Sequence, residues 1–149
     1  MPGMVLLLSL LLSLTATWPG ADPHVTRRFD PPPQPWLAGH RGVDLAAPPA
    51  TPVRSAAAGT IVFTGLVAGR GVVSVAHPGG LRTTYEPLSA GPLRVGDTVA
   101  AGEEIGRLAP GHPGCPSAAC LHWGLRRGEV YLDPLSLLDP PEVRLLPMG

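Results

Sequence analysis

His40 and Asp44 stand four residues apart in "GHRGVDLAAP", and His122 lies far along the chain in "AACLHWGLRRG". A neutral imidazole and a carboxylate both bind zinc, and a turn at Gly42 lets residues at this separation converge on one ion. Spacing alone does not separate such a pair from two solvated turn residues. His122 sits in a short apolar, strand-like run, where burying an unpartnered imidazole is costly. It therefore reads either as a third ligand or as a core histidine satisfied by a backbone carbonyl. Cys120, two places before it, reads as half of a disulfide with Cys115, or as a thiolate ligand or base at the same site.

The elements that would position these residues are short strands. Twenty prolines and 19 glycines among 149 residues, with 5% aromatic and 15% charged side chains, imply many turns. "TPVRSAA", "GTIVFTGLV", "GVVSVAHP", "LRTTYEPL", "GDTVAAGEEIGRLA" and "CLHWGLRRG" follow one another closely. The second and third are dense in β-branched residues, Gly69-Arg70-Gly71 and Pro78-Gly79-Gly80 break the runs, and no stretch keeps a helical period. The expected fold is all-β, an antiparallel sandwich or barrel-like domain. Before it, "DPHVTRRFDPPPQPWLAGH" is proline-rich and aperiodic and reads as a linker. The expected organisation is a leader over 1–21, a linker over 22–37, one domain over 38–138 and an irregular tail over 139–149.

Composition excludes several functions. Eleven basic and eleven acidic residues cancel, so there is no electrostatic reason to expect nucleic acid as a partner. All eleven basic residues are arginine, which rules out chemistry on a lysine amine. The apolar run Met4–Leu14 is short for a bilayer span and suits the centre of an export signal, with an uncleaved anchor as the competitor. Either way the domain is expected outside the cytoplasm, secreted or in the cell envelope, where one disulfide persists. No membrane contact beyond the leader is expected, and the domain is expected to be a monomer.

Taken in order, "HRGVDLAAP", "PVRSAAAGTIVFTG", "VGDTVAAGEEIG" and "LHWG" resemble the lysostaphin-type zinc endopeptidases that cut peptidoglycan peptides. They correspond to the H-x-G-x-D-x-x-x-P motif, the strand pair after it, the G-D-x-V-x-x-G-x-x-I-G hairpin and the H-x-H strand. The resemblance implies a sheet-rich domain with an open groove for a peptidoglycan peptide and a lipoyl-like hairpin. It also implies zinc held by His40, Asp44 and His122. Three protein ligands leave one position for water, the count that zinc hydrolysis requires.

Two positions depart from that pattern. Cys120 occupies the place of the first, assisting histidine of H-x-H, and Pro87 in "YEPL" occupies the place of the second. Three residues are candidate substitutes: Glu86 as base, His112 in "PGHPGCP" swinging back over the metal, and Tyr85 as oxyanion donor. Each has a plainer reading, as a turn carboxylate, an exposed loop histidine and a packed tyrosine. His77 reads as a structural turn residue and Trp123, on the opposite strand face from His122, as core. The hairpin also resembles biotinyl and lipoyl carriers, which the missing lysine excludes. The competing function is a zinc-loaded but catalytically degenerate module that binds the cell wall or regulates another hydrolase.

Overall fold

A computed structural model describes residues 14–89 and 91–138; the first 13 residues of the leader expected over 1–21, residue 90 and the tail expected over 139–149 lie outside the described residues. The strands are β1 (Val25–Arg27), β2 (Val43–Ala46), β3 (Pro52–Arg54), β4 (Gly59–Val67), β5 (Arg70–Ala76) and β6 (Leu81–Glu86). They continue as β7 (Leu88–Ser89), β8 (Thr98–Val99), β9 (Glu104–Leu108), β10 (Cys120–Arg127) and β11 (Val130–Leu132). Seven form one antiparallel sheet in the order β1-β2-β10-β6-β5-β4-β8, with β11 also on β10, and β3-β9-β7 form a second. The domain is all-β as its composition implies, an open pair of sheets rather than a closed barrel. Helix among the described residues is confined to two 3-10 turns, Pro78–Gly80 and Pro134–Leu137.

Local chemistry accounts for the turns. Ala68 and Gly69, with φ of 52° and 81°, join β4 to β5 in the left-handed geometry that matches the twist of a two-residue hairpin. The lipoyl-like hairpin turns at Gly102, where the Glu103 carboxylate accepts from the Ala100 N–H at 3.0 Å. Its arms then part: β8 pairs with β4 in the large sheet, and β9 with β3 and β7 in the small one. The hairpin thus fastens the two sheets together.

The period-2 alternation of β10 divides its side chains. Leu121, Trp123 and Leu125 are buried in the core, while His122, Gly124 and Arg126 face the other way. Trp123 packs with Tyr85, Val43 and Ile61, all fully buried.

The proline-rich segment does not behave as a free linker. β1 pairs antiparallel with β2, and Asp30 and His40 exchange backbone hydrogen bonds of 2.9 and 2.7 Å. Further back, Ala16 bridges Ala57, Pro19 is fully buried, and Trp18 lies 6.3 Å from Trp123 between ring centroids. An extended backbone with free N–H and C=O groups is what a sheet edge accepts, so a proline-rich composition and a paired edge are compatible.

His77 is structural, within a directed chain of hydrogen bonds. The Ala56 N–H donates to Tyr85 Oη (2.8 Å), the Tyr85 hydroxyl to Thr83 Oγ1 (2.8 Å), and the Thr83 hydroxyl to His77 Nε2 (2.7 Å). His77 Nδ1 closes the chain by donating to the Ala58 carbonyl at 2.8 Å. Every donor is used only while Nε2 stays bare. Burial lowers the His77 pKa below its usual 6.5, against a smaller opposing pull from the Ala58 carbonyl. The unfolded chain therefore binds the proton more readily, and His77 destabilises the fold as pH falls below about 6.5. Thermal unfolding between pH 7.5 and 5 is expected to show wild type losing stability faster than a His77→Gln variant. Parallel curves would contradict this account.

Candidate metal centre

The site is assembled where β2 and β10 run side by side. Cα register sets His122 against Asp44 on one side and against Glu86 of β6 on the other. His40 enters from the turn before β2. Gly42 permits the close approach: a Cβ there would lie 2.4 Å from the Trp123 carbonyl oxygen and 2.9 Å from the His122 ring. A backbone oxygen cannot step aside as a flexible side chain can. Gly42→Ala is expected to force β2 away from β10, costing about 1–3 kcal/mol and misplacing His122. Calorimetry and metal content check this, and wild-type values for both would refute it.

Asp44 is the centre of the cluster, with its side chain only 4% exposed. Its Oδ1 lies 3.0 Å from both His40 Nε2 and His122 Nδ1. These three ligand atoms lie within 4.8 Å of one another. Burial pushes the Asp44 pKa up, but the His122 hydrogen bond and the nearby His112 and His40 rings outweigh it, leaving the carboxyl below its ordinary range.

The donor set fits a cation. His40 Nδ1 lies 2.9 Å from the Arg28 carbonyl, which can only accept, so Nδ1 carries a proton and Nε2 is the ring nitrogen turned to Asp44, bare whenever the ring is uncharged. Two acceptor atoms 3.0 Å apart repel unless a proton or a metal lies between them. A backbone carbonyl fixing the tautomer of a ligating imidazole is the usual outer support of a metal ligand. Arg28 thus contributes to the site through its main chain, which no reading of residue types reveals.

Of the three candidate substitutes, two come to this face. His112 Nε2 lies 3.0 Å from the other carboxylate oxygen, Asp44 Oδ2, and its ring centroid is 5.9 Å from that of His122. The contact lacks hydrogen-bond alignment, and Nε2 is buried with no hydrogen-bond partner. The loop bearing His112 is tied to β10 by the Cys115–Cys120 disulfide, with S–S of 2.04 Å. Cys120 is fully buried, and with its sulfur in the bridge it is neither thiolate ligand nor base. Glu86 lies beside His122, with Oε2 held by Arg70 Nε at 3.2 Å. Tyr85 does not reach the site: one residue earlier on β6, it points into the core, where burial pushes its pKa up and its hydroxyl is engaged by Ala56 and Thr83.

A groove of about 250 Å³ adjoins the cluster and is lined by His122, Glu86, Thr84, Arg41, Arg126 and Tyr131, among others. A larger apolar cleft of about 600 Å³ lies behind β2, between Pro19–His24 and Ala46–Pro49, and holds none of the His–Asp–His residues.

An open antiparallel sheet with this triangle on its face beside a groove is the lysostaphin-type architecture anticipated from the motifs. The chain belongs to peptidase family M23, which matches residues 38–134. An uncharacterized protein of Mycobacterium tuberculosis is 54% identical over 137 residues, covering 89% of this chain and 55% of the relative. The chain therefore spans about half the length of that relative. The DD-carboxypeptidase/endopeptidase Mpg of Neisseria meningitidis is 39% identical over 106 residues, 70% of this chain and 24% of that protein. Among solved structures, Helicobacter pylori Csd3 superposes with a TM-score of 0.68 at 26% identity, covering 89% of this chain and 40% of that one. Lysostaphin of Staphylococcus simulans gives 0.68 at 25% identity, covering 83% and 54%.

Proposed function

We propose that the chain is an exported zinc endopeptidase that hydrolyses peptidoglycan peptides. The observation that carries this reading is the Asp44 Oδ1 position, 3.0 Å from His40 Nε2 and from the Nδ1 of His122, the member of the cluster that lines the adjoining groove. Membership of peptidase family M23 supports peptidase chemistry. The similarity to a protein named as a DD-carboxypeptidase/endopeptidase supports a cell-wall peptide as substrate. Export is supported by the apolar leader and by a disulfide beside the site. Among the described residues no helix is long and apolar enough to cross a membrane. His40, Asp44 and His122 all come from one chain, so the site needs no second copy, in keeping with a monomer.

Zinc held by His40, Asp44 and His122 would supply Lewis acidity and bring the pKa of a bound water towards neutrality. The chain's own residues set up the rest. The Arg28 carbonyl keeps His40 in its ligating tautomer. His112 stands over the second oxygen of Asp44 and supplies the imidazole missing at position 120. Glu86, steadied by Arg70, is the carboxylate beside His122 that takes up a proton.

A degenerate wall-binding module remains the second reading, favoured by the bridged Cys120 and by Pro87 where the assisting histidines belong. Zinc analysis of the purified chain and digestion of insoluble peptidoglycan separate the two. One zinc per chain with chelator-sensitive release of peptides is expected. Stoichiometric zinc without peptide release would favour the binding module, and absence of zinc would sink both.

A further inference from the structure

The outward face of β10 carries, after His122 and Gly124, a third residue: Arg126. Its register partner on β6 is Arg82, so two half-buried guanidinium side chains lie directly opposite each other on one sheet face. Like charges in that position are destabilising unless something between them is negative. Among the described residues, neither forms an ion pair. Arg126 lines both the groove at His122 and a second hollow further along, which Arg82 also lines.

Arg41 also lines the groove at His122. Its Nη2 donates to the Pro35 carbonyl at 2.8 Å, and its guanidinium carbon lies 5.8 Å from the Tyr131 ring centroid. The carboxylate lining either hollow is Glu86, already taken by Arg70. The chain as a whole is neutral, so this concentration of positive charge is local. Arg126 is four residues from His122 along β10, about 13 Å at about 3.3 Å per residue, within the reach of a short extended peptide.

We propose that this groove is a carboxylate-binding subsite, in which Arg41 and Arg126, with Arg82 beside them, hold free carboxylates of the peptide. This rests on the peptidase reading and narrows its substrate class to stem peptides with unamidated carboxylates, as against neutral glycyl cross-bridges. Planar forks presented by arginine suit carboxylates in particular.

The test uses the full zinc-loaded chain and two probes of product length: a stem tripeptide with all carboxylates free, and the same tripeptide fully amidated. Calorimetric titration is expected to show the free form binding at least about tenfold more tightly, with the margin shrinking as salt is raised. Arg126→Gln and Arg82→Gln are expected to erase most of that margin. Their unfolding midpoints are expected to hold or rise, since each removes one of two opposed charges, whereas a purely structural arginine would lower the midpoint on loss. Equal binding of the two probes, or no binding of either, overturns the subsite. Peptidoglycan digestion run alongside keeps the two ideas apart. Discrimination without digestion would sink the peptidase reading and leave the subsite standing, and digestion without discrimination would do the reverse.

Discussion

Replacing Asp44 with alanine is expected to remove bound zinc and peptidase activity together. Asp44 is the one anionic member of the triangle, and its Oδ1 is the atom both imidazoles approach at 3.0 Å. Without it, two neutral nitrogens remain, too few to hold the ion against water or a mild chelator. Activity should fall by more than the roughly 10²–10³-fold that follows loss of a single oxyanion donor, because the activated water goes with the metal. Asp44→Asn keeps an oxygen in place and removes the charge, so it should retain part of the zinc and little of the rate. Metal analysis with peptide release reads both. Stoichiometric zinc in Asp44→Ala would take Asp44 out of the ligand set.

The second large effect concerns the loop stapled to β10. His112→Ala is expected to keep zinc while lowering kcat/KM by about 100-fold or more, as loss of a positioned acid–base imidazole does. The loop that carries His112 to Asp44 Oδ2 is tied three residues on, at Cys115, to Cys120 of β10. Opening the bridge with Cys115→Ser and Cys120→Ser should therefore cost a similar factor by letting the loop drift. Combining these changes with His112→Ala should add little, since both act through one contact. Independent, multiplying losses would separate the staple from the histidine, and unchanged kcat/KM in His112→Ala would leave the missing imidazole unreplaced.

Much of the His–Asp–His cluster was legible because atoms able to hold a metal are declared by residue type and order. His40, Asp44 and His122 carry the right atoms, and "HRGVDLAAP" and "LHWG" mark the strands that bring them together. The all-β architecture was legible for a similar reason: closely spaced β-branched runs and glycine turns leave no room for helices. Tyr85 shows the limit. It matches its motif, but strand parity decides which side chain reaches the site, and Glu86, opposite His122, takes the outward place. Parity becomes decisive only when the register is known. Arg28 was hidden because its contribution is a carbonyl, common to every residue. The segment 22–37 reads as a linker because proline content signals extension without saying whether the extended chain has a neighbour.

The packing of Trp18 and Pro19 bears on how this domain can be trimmed. A recombinant version begun at residue 38, where the family match starts, would discard the aromatic partner of Trp123, the edge strand on β2 and the carbonyl that holds His40. One begun at Asp22 would keep the strand and the carbonyl and still open the slot beside Trp123. A processing enzyme faces the same geometry as a cloning scissor: a cut must fall on the amino side of Ala16, which bridges Ala57, to keep both that bridge and the 2.8 Å bond from the Thr17 N–H to the Ala56 carbonyl.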